Sequence, residues 1–249
     1  MNFHMIIRML LGVVVSFVPP GLLQRGIRIL AAQKVHSMEP KPGLKFLSEL
    51  DRSVYHLQGD LAGKYGNGVH VKHRLTGSYK FFTDRIHAND SVLDIGCGNG
   101  ALAFSIATAS NAKIVGIDIN QKNIDKAESL HRHDNIQYIT ADATQKVLEG
   151  NFDIVVLSNV LEHIKDRISF LKYLLDSTSA STFLIRVPLF DRDWRVPLKK
   201  ELGVEWRLDV THETEYTVDS FLNEINLSGM QVVHLESKWG EIWSASKPS

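Results

Sequence analysis

The stretch Val92-Leu93-Asp94-Ile95-Gly96-Cys97-Gly98-Asn99-Gly100 sets a carboxylate two residues before the first of three alternating glycines. Its apolar residues predict a buried strand, the glycines a sharp turn, and Ala101 the start of a helix. Glycine permits positive φ and lets a ligand approach the backbone closely. The following helix would aim its free N–H groups at that ligand. Dinucleotide enzymes also use a glycine turn, but here the third glycine comes one residue early for their fingerprint. Asp94 would repel a pyrophosphate and welcome an ammonium or sulfonium. The ligand so predicted carries an adenosine and a positive charge. Cys97, the lone cysteine, reads as a small filler of the turn, since nothing nearby would activate a thiol.

Two more acids stand at predicted strand ends. Lys113-Ile114-Val115-Gly116-Ile117 forms a second strand closed by Asp118, placed to accept hydrogen bonds from ribose hydroxyls. A third strand, Ile136 to Thr140, precedes Ala141-Asp142-Ala143, and Phe152 to Ser158 forms a fourth. In these residues the chain resembles the class I S-adenosylmethionine-dependent methyltransferases. The matching segments are DIGCGNG (Asp94 to Gly100), GID (Gly116 to Asp118), ADA around Asp142, and FDIVVLSNVLEH (Phe152 to His163). The resemblance covers roughly residues 70 to 245. It implies an α/β, Rossmann-like, doubly wound and mostly parallel seven-stranded sheet with an antiparallel last strand. It also implies S-adenosyl-L-methionine as cofactor. Gly96, Gly98 and Gly100 would then lie beside the methionine moiety, Asp118 on the ribose and Asp142 on the adenine amine. Asp94, Cys97, Asn99, Ile119, Ala143, Ser158 and Asn159 complete the implied cofactor set. In related enzymes the segment before the first strand closes over the cofactor, which makes Lys72, His73 and Arg74 candidates for the methionine carboxylate.

The acceptor chemistry is expected after the fourth strand, where Glu162 and His163 follow Ser158-Asn159 at the carboxyl end of the sheet. This pair resembles that of small-molecule O-methyltransferases of the ubiquinone-biosynthesis type. His163 is the candidate base for a substrate hydroxyl, and His212 is a second catalytic candidate. No metal is assigned. Metal-dependent small-RNA 2′-O-methyltransferases use an E-x-x-E-H pattern plus a later histidine, but here Asn159 occupies the first acidic position. Were an ion bound, Glu162, His163 and His212 would remain to hold it. The segment Arg186 to Tyr216, between a fifth strand (Thr182 to Val187) and a helix near Val218 to Leu227, is long for such a connection. It is expected to form the substrate lid, with Arg192, Trp194, Arg195, Lys199 and Trp206 as contacts. Met230 to Leu235 and Glu241 to Ala245 read as the final strands.

The elements that position these residues fit one large α/β domain in a 249-residue chain. Formal net charge is zero, which argues against a nucleic-acid partner. The single cysteine and a methyl donor made in the cytosol point to a cytoplasmic protein. The domain is expected over residues 44–249. Before it, residues 1–38 hold no acid but carry Arg8, Arg25, Arg28 and Lys34. Met9 to Val18 and Gly21 to Ala32 are apolar runs divided by Pro19-Pro20, too short to span a bilayer. Residues 1–43 thus read as a helical N-terminal extension, with a linker at Pro40 to Gly43. The extension is either a basic anchor on the inner face of a membrane or a pair of cap helices. The expected activity is methyl transfer, chiefly to an oxygen of a small or lipid-linked acceptor such as a glycan or cell-envelope precursor. A quinone or isoprenoid-ring methyltransferase is the alternative enzyme, and a silent S-adenosylmethionine-binding module the alternative of another class.

Overall fold

The computed structural model describes residues 15–145 and 150–249. They fall into two compact units: residues up to Leu57 with Lys199–Val204, and Gln58–Leu198 with Glu205–Ser249. Arg8 and most of the apolar run beginning at Met9 lie outside the described residues.

In the first unit, helix α1 (Pro20–His36) has proline at its first position, where no backbone N–H is needed. It buries no residue and contains no acid. Helix α2 (Pro40–Tyr65) corrects two sequence expectations. Pro40 to Gly43, read as a linker, is its first turn. Gly59 to Gly68, whose glycine content predicts a loop, is helical through Gly63 to Tyr65, and only the end turns, with Asn67 and Gly68 at positive φ. An isolated glycine costs a helix about 1 kcal/mol against alanine, and this 26-residue helix holds Gly59 and Gly63 in its interior besides Gly43 in its first turn. No helix among the described residues is long and apolar enough to cross a membrane.

The second unit is built on one seven-stranded sheet. Two short helices, α3 (Lys72–Thr76) and α4 (Ser78–Thr83), lead into β1 (Ser91–Ile95). Then come α5 (Ala101–Ser110), β2 (Lys113–Asp118), α6 (Gln121–Leu130), β3 (Ile136–Thr140) and β4 (Ile154–Ser158). A 3-10 turn (Leu161–His163), α7 (Arg167–Thr178), β5 (Thr182–Pro188) and α8 (Arg195–Leu202) follow. The chain ends with α9 (Val218–Leu227), β6 (Met230–Lys238) and β7 (Glu241–Pro248). The strand order is β3-β2-β1-β4-β5-β7-β6. Only β7 runs against its neighbours, as the resemblance implies.

The order reverses between β1 and β4, where the connection leaving β1 runs to β2 on one side and that leaving β4 runs to β5 on the other, and ligands bind beyond the carboxyl ends of strands at such a point. Apolar residues cover both faces of the sheet. Leu93, Val155, Phe183 and Ile185 pack with α7 and α9 through Leu171, Leu174 and Phe221. Val92, Val156 and Leu184 pack with α4 and α5 through Phe82, Leu102 and Ile106. Residues two further along those last strands, namely Asp94, Ser158 and Arg186, face the second layer at its carboxyl end.

Trp243 fastens the antiparallel edge to the segment before β1. It is 1% exposed, sets its ring 5.8 Å from Phe81, and donates from Nε1 to Glu241 at 2.9 Å. Trp243→Ala is expected to cost about 3–5 kcal/mol, read as a lower urea midpoint with an unchanged slope.

Candidate active site

The three glycines of the turn after β1 have different duties. All have positive φ, at 68°, 57° and 79° for Gly96, Gly98 and Gly100. A Cβ on Gly100 would lie 2.8 Å from Tyr138 Cζ and 2.9 Å from Ala127 Cβ, so this glycine is needed for packing. A Cβ on Gly98 would meet nothing within 4 Å. Its open face is where a ligand can approach the backbone. Cys97 is buried, and burial pushes its thiol well above the ordinary range. That fits a filler rather than a nucleophile.

Asp118, at the end of β2, is 8% exposed and already bonded to its own chain. It accepts from Gly98 N at 2.9 Å, Asn120 N at 2.8 Å and Asn123 Nδ2 at 3.2 Å. A carboxylate offers about four acceptor positions, so about one is left, on the oxygen that holds Gly98. Ile119 beside it is 70% exposed, an apolar surface ready for a flat ligand. Asp142 accepts from Thr144 N and Oγ1, both on Oδ1, at 2.9 and 2.7 Å.

Asp94 is 1% exposed, and its Oδ2 has no hydrogen-bond partner. Burial, followed by the charge of Asp118, pushes its pKa up to about 7. A buried carboxylate without a partner suits a cationic ligand. With the open face of Gly98 and the free position on Asp118, it fits the aminoacyl end and ribose of S-adenosylmethionine.

After β4 the chain makes a tight turn with Asn159 at φ 60°. Asn159 Nδ2 donates to Glu162 Oε1 at 2.8 Å, while Glu162 Oε2 is buried and unpartnered. Burial raises Glu162 to about 7, with the Asn159 bond opposing. The structure brings Glu162, His163 and His212 together, one ligand atom from each lying within 4.8 Å of the others.

The tautomers of both histidines follow from their partners. Thr211 Oγ1 donates to Asp209 Oδ1 at 2.8 Å and so accepts from His163 Nδ1 at 2.9 Å. His212 Nδ1 donates to Glu215 Oε1 at 3.0 Å. In the neutral form each ring therefore carries its lone pair on Nε2. Burial would raise Glu215, but its bonds to His212, Leu208 N–H and Arg192 hold it below the usual range.

The remaining sequence candidates are spread more widely. Arg192 ties the 186–216 segment together through Glu215, Leu189 O and Trp206 O. Arg195 pairs with Asp193 at 2.7 Å, and the ring of Trp206 meets Phe190 at 5.1 Å. Trp194 is 72% exposed. Lys199 belongs to the first unit and donates to Asp51. His73 stacks on Tyr79 and is held neutral, at a pKa of about 3, by burial and then by Arg186 and Lys72. Arg74 is exposed on α3. The sequence reading missed the supports Asp209, Thr211 and Glu215, whose signal was their spacing around His212. It also missed Arg186, a lone cation inside an otherwise apolar strand.

Residues 86–188 match the family model described as a methyltransferase domain. The chain is 30% identical over 146 residues to ribosomal protein L11 methyltransferase of Thermotoga maritima, covering 58% of this chain and 53% of that protein. It is 35% identical over 152 residues to ubiquinone biosynthesis O-methyltransferase of Colwellia psychrerythraea, covering 57% and 59%. The chain thus spans little more than half the length of these curated relatives. In fold it is similar to magnesium protoporphyrin IX methyltransferase from Synechocystis, solved with S-adenosylhomocysteine, at TM-score 0.57 and 18% identity over 73% of this chain and 85% of that one. The sheet order and the acids around the glycine turn agree with these matches, in which residues 86–188 are similar to a methyltransferase domain of the class I, S-adenosylmethionine-dependent type. Its cofactor is S-adenosylmethionine.

The titration of Asp94 gives a pH-dependent prediction. An ammonium-bearing ligand needs the carboxylate, so below about pH 7 part of the binding free energy goes to ionising Asp94. Affinity for S-adenosylhomocysteine is expected to weaken by up to about tenfold per pH unit below that point and to level off above it. Calorimetry from pH 5.5 to 8.5 checks this, and Asp94→Asn should flatten the profile at weak affinity.

Proposed function

We propose that the protein transfers a methyl group from S-adenosylmethionine to an oxygen of a small-molecule acceptor, with His163 as general base. The observation that carries this reading is the pair of supported imidazoles beyond β4. Both keep Nε2 lone pairs beside the buried carboxylate of Glu162. His163 is exposed while His212 is 5% exposed, so His163 meets the acceptor and His212 packs behind it. Bound S-adenosylmethionine supplies the methyl group as a sulfonium substituent. The residues of the chain do the rest. Asp94, Gly98 and Asp118 hold and orient the cofactor. Nε2 of His163 takes the proton of the acceptor hydroxyl as its oxygen becomes methylated. Thr211 and Asp209 keep the ring turned so that this nitrogen, not Nδ1, faces outward. Alignment of acceptor and methyl would supply most of the acceleration, up to about 7–11 kcal/mol. The similarity to a ubiquinone O-methyltransferase favours a ring hydroxyl among oxygen acceptors, ahead of a glycan or cell-envelope precursor.

The same cluster supports a second reading, in which Glu162, His163 and His212 hold a divalent ion that binds the acceptor oxygen. A carboxylate and two imidazoles make a suitable donor set, and the unpartnered Glu162 Oε2 is consistent with it. The two readings part on chelation. Under the base reading, dialysis against EDTA leaves turnover of labelled S-adenosylmethionine unchanged. Loss of turnover, restored by a divalent salt, would establish the ion.

A peripheral membrane association also belongs to this proposal. Helix α1 buries none of its residues, exposes Leu22, Ile27 and Leu30, and carries Arg25, Arg28 and Lys34 without an acid. That composition suits the surface of an anionic bilayer, where a quinone or lipid-linked acceptor would be found.

For the base itself, His163→Ala should lower turnover by about 10²–10⁴-fold while S-adenosylhomocysteine affinity stays within about twofold. Full turnover in the variant would remove His163 from this role.

A further inference from the structure

Arg186 lies on β5, opposite Ser158 of β4 in the parallel register. It is 5% exposed, and its Nε has no hydrogen-bond partner. Its other contacts are loose: Nη1 is 3.5 Å from His73 Nδ1 and 3.9 Å from Glu241 Oε2. A guanidinium presents five N–H donors in a planar fork, so most of its capacity is unused. Leaving a buried charge in that state costs several kcal/mol unless a partner arrives.

Lys72, on α3, is solvent-accessible, and desolvation and then the charge of Arg186 lower its pKa against the opposing pull of Glu241 and Glu162. Tyr79, stacked on His73 at 4.7 Å, is held protonated, at a pKa of about 12, chiefly by burial. Its hydroxyl is thus a donor. His73 Nδ1 faces Ser78 Oγ at 2.9 Å as well as Arg186. Arg186 thus stands beside neutral His73, which stacks on Tyr79, and its ion-pair partner Glu241 is at the edge of range, 3.9 Å away.

We propose that Arg186, assisted by Lys72, binds a carboxylate carried by the acceptor, so that the substrate is an organic acid methylated elsewhere on its skeleton. Two features favour the acceptor over the cofactor as the source of that carboxylate. The acids that serve the cofactor end β1, β2 and β3, whereas Arg186 is on β5, on the far side of β4. The carbonyl of Arg186 also accepts from Asn159 N at 2.8 Å, and Asn159 Nδ2 donates to Glu162, which sets Arg186 next to the His163 cluster. A fork on the acid and an imidazole on the hydroxyl would fix an acceptor at two points, as near-attack alignment requires.

The inference rests on the methyltransferase reading, and its test keeps the two apart. Purified full-length protein is incubated with labelled S-adenosylmethionine and a total metabolite and lipid extract, and the labelled products are separated by electrophoresis at pH 7. The expected product migrates as an anion. Arg186→Met should lose at least about tenfold of the labelling, with part recovered in Arg186→Lys. Both variants should bind S-adenosylhomocysteine within about twofold of the parent, a measurement that also reports their folding. A labelled product that is neutral, cationic or a protein overturns the proposal. So does a variant weakened toward S-adenosylhomocysteine but not toward 5′-methylthioadenosine, which lacks the amino-acid tail, because Arg186 would then serve the cofactor. Failure of the parent protein to bind S-adenosylhomocysteine would instead overturn the underlying methyltransferase reading.

Discussion

A carboxylate without a partner stands at the centre of the sheet. Asp94 is on β1, hydrogen-bonded on both sides to parallel neighbours and covered by helices, so water cannot reach it. Isolated burial of a charge is costly enough that such a group shifts its pKa instead, and Asp94 does so. The two apolar layers on either face of the sheet supply the stability that tolerates it. The rest of the site is arranged around the same tension. Glu162 Oε2 and Arg186 Nε are likewise buried and unpartnered, beyond β4 and on β5. Acidic and basic groups thus stand at one end of the sheet with hydrogen-bonding capacity unused.

Much of this was legible in the sequence for a physical reason: parallel strands buried on both faces must be continuous apolar runs. The five strands from Val92 to Val187 stand where those runs predict, and the acids at their ends fall at the carboxyl edge because the register is parallel. Local composition misled where tertiary context won. Pro40 starts a helix instead of a linker, and Gly59 and Gly63 ride inside one. The candidate site was legible in halves. Glu162 and His163 follow from the end of β4. Their meeting with His212, some fifty positions on, depends on how the 186–216 segment folds back, and no periodicity encodes that. The segment returns through a parallel bridge between Leu189 and Tyr216, and through Glu213 N donating to the carbonyl of Glu162.

That segment differs from an ordinary surface excursion in its centre. Glu215 is buried with Arg192, His212 and the Leu208 N–H around it. Arg192 matches the charge of Glu215 at one oxygen, while His212 and the Leu208 N–H satisfy the other. Side chains expected to grip a substrate are in part spent on this internal bracing. Arg192 is the clearest case: a cation in a long connection is as readily a strut as a binding group, and only the contacts tell which.

Asp118 carries a consequence of another kind. By holding the Gly98 N–H it sets the shape of the turn before any ligand comes, and the same carboxylate oxygen keeps a position free for the ligand. The ordering cost of the cradle is therefore met during folding. Binding begins from a preformed surface, where little conformational entropy remains to be lost. A single side chain thus couples local rigidity to affinity.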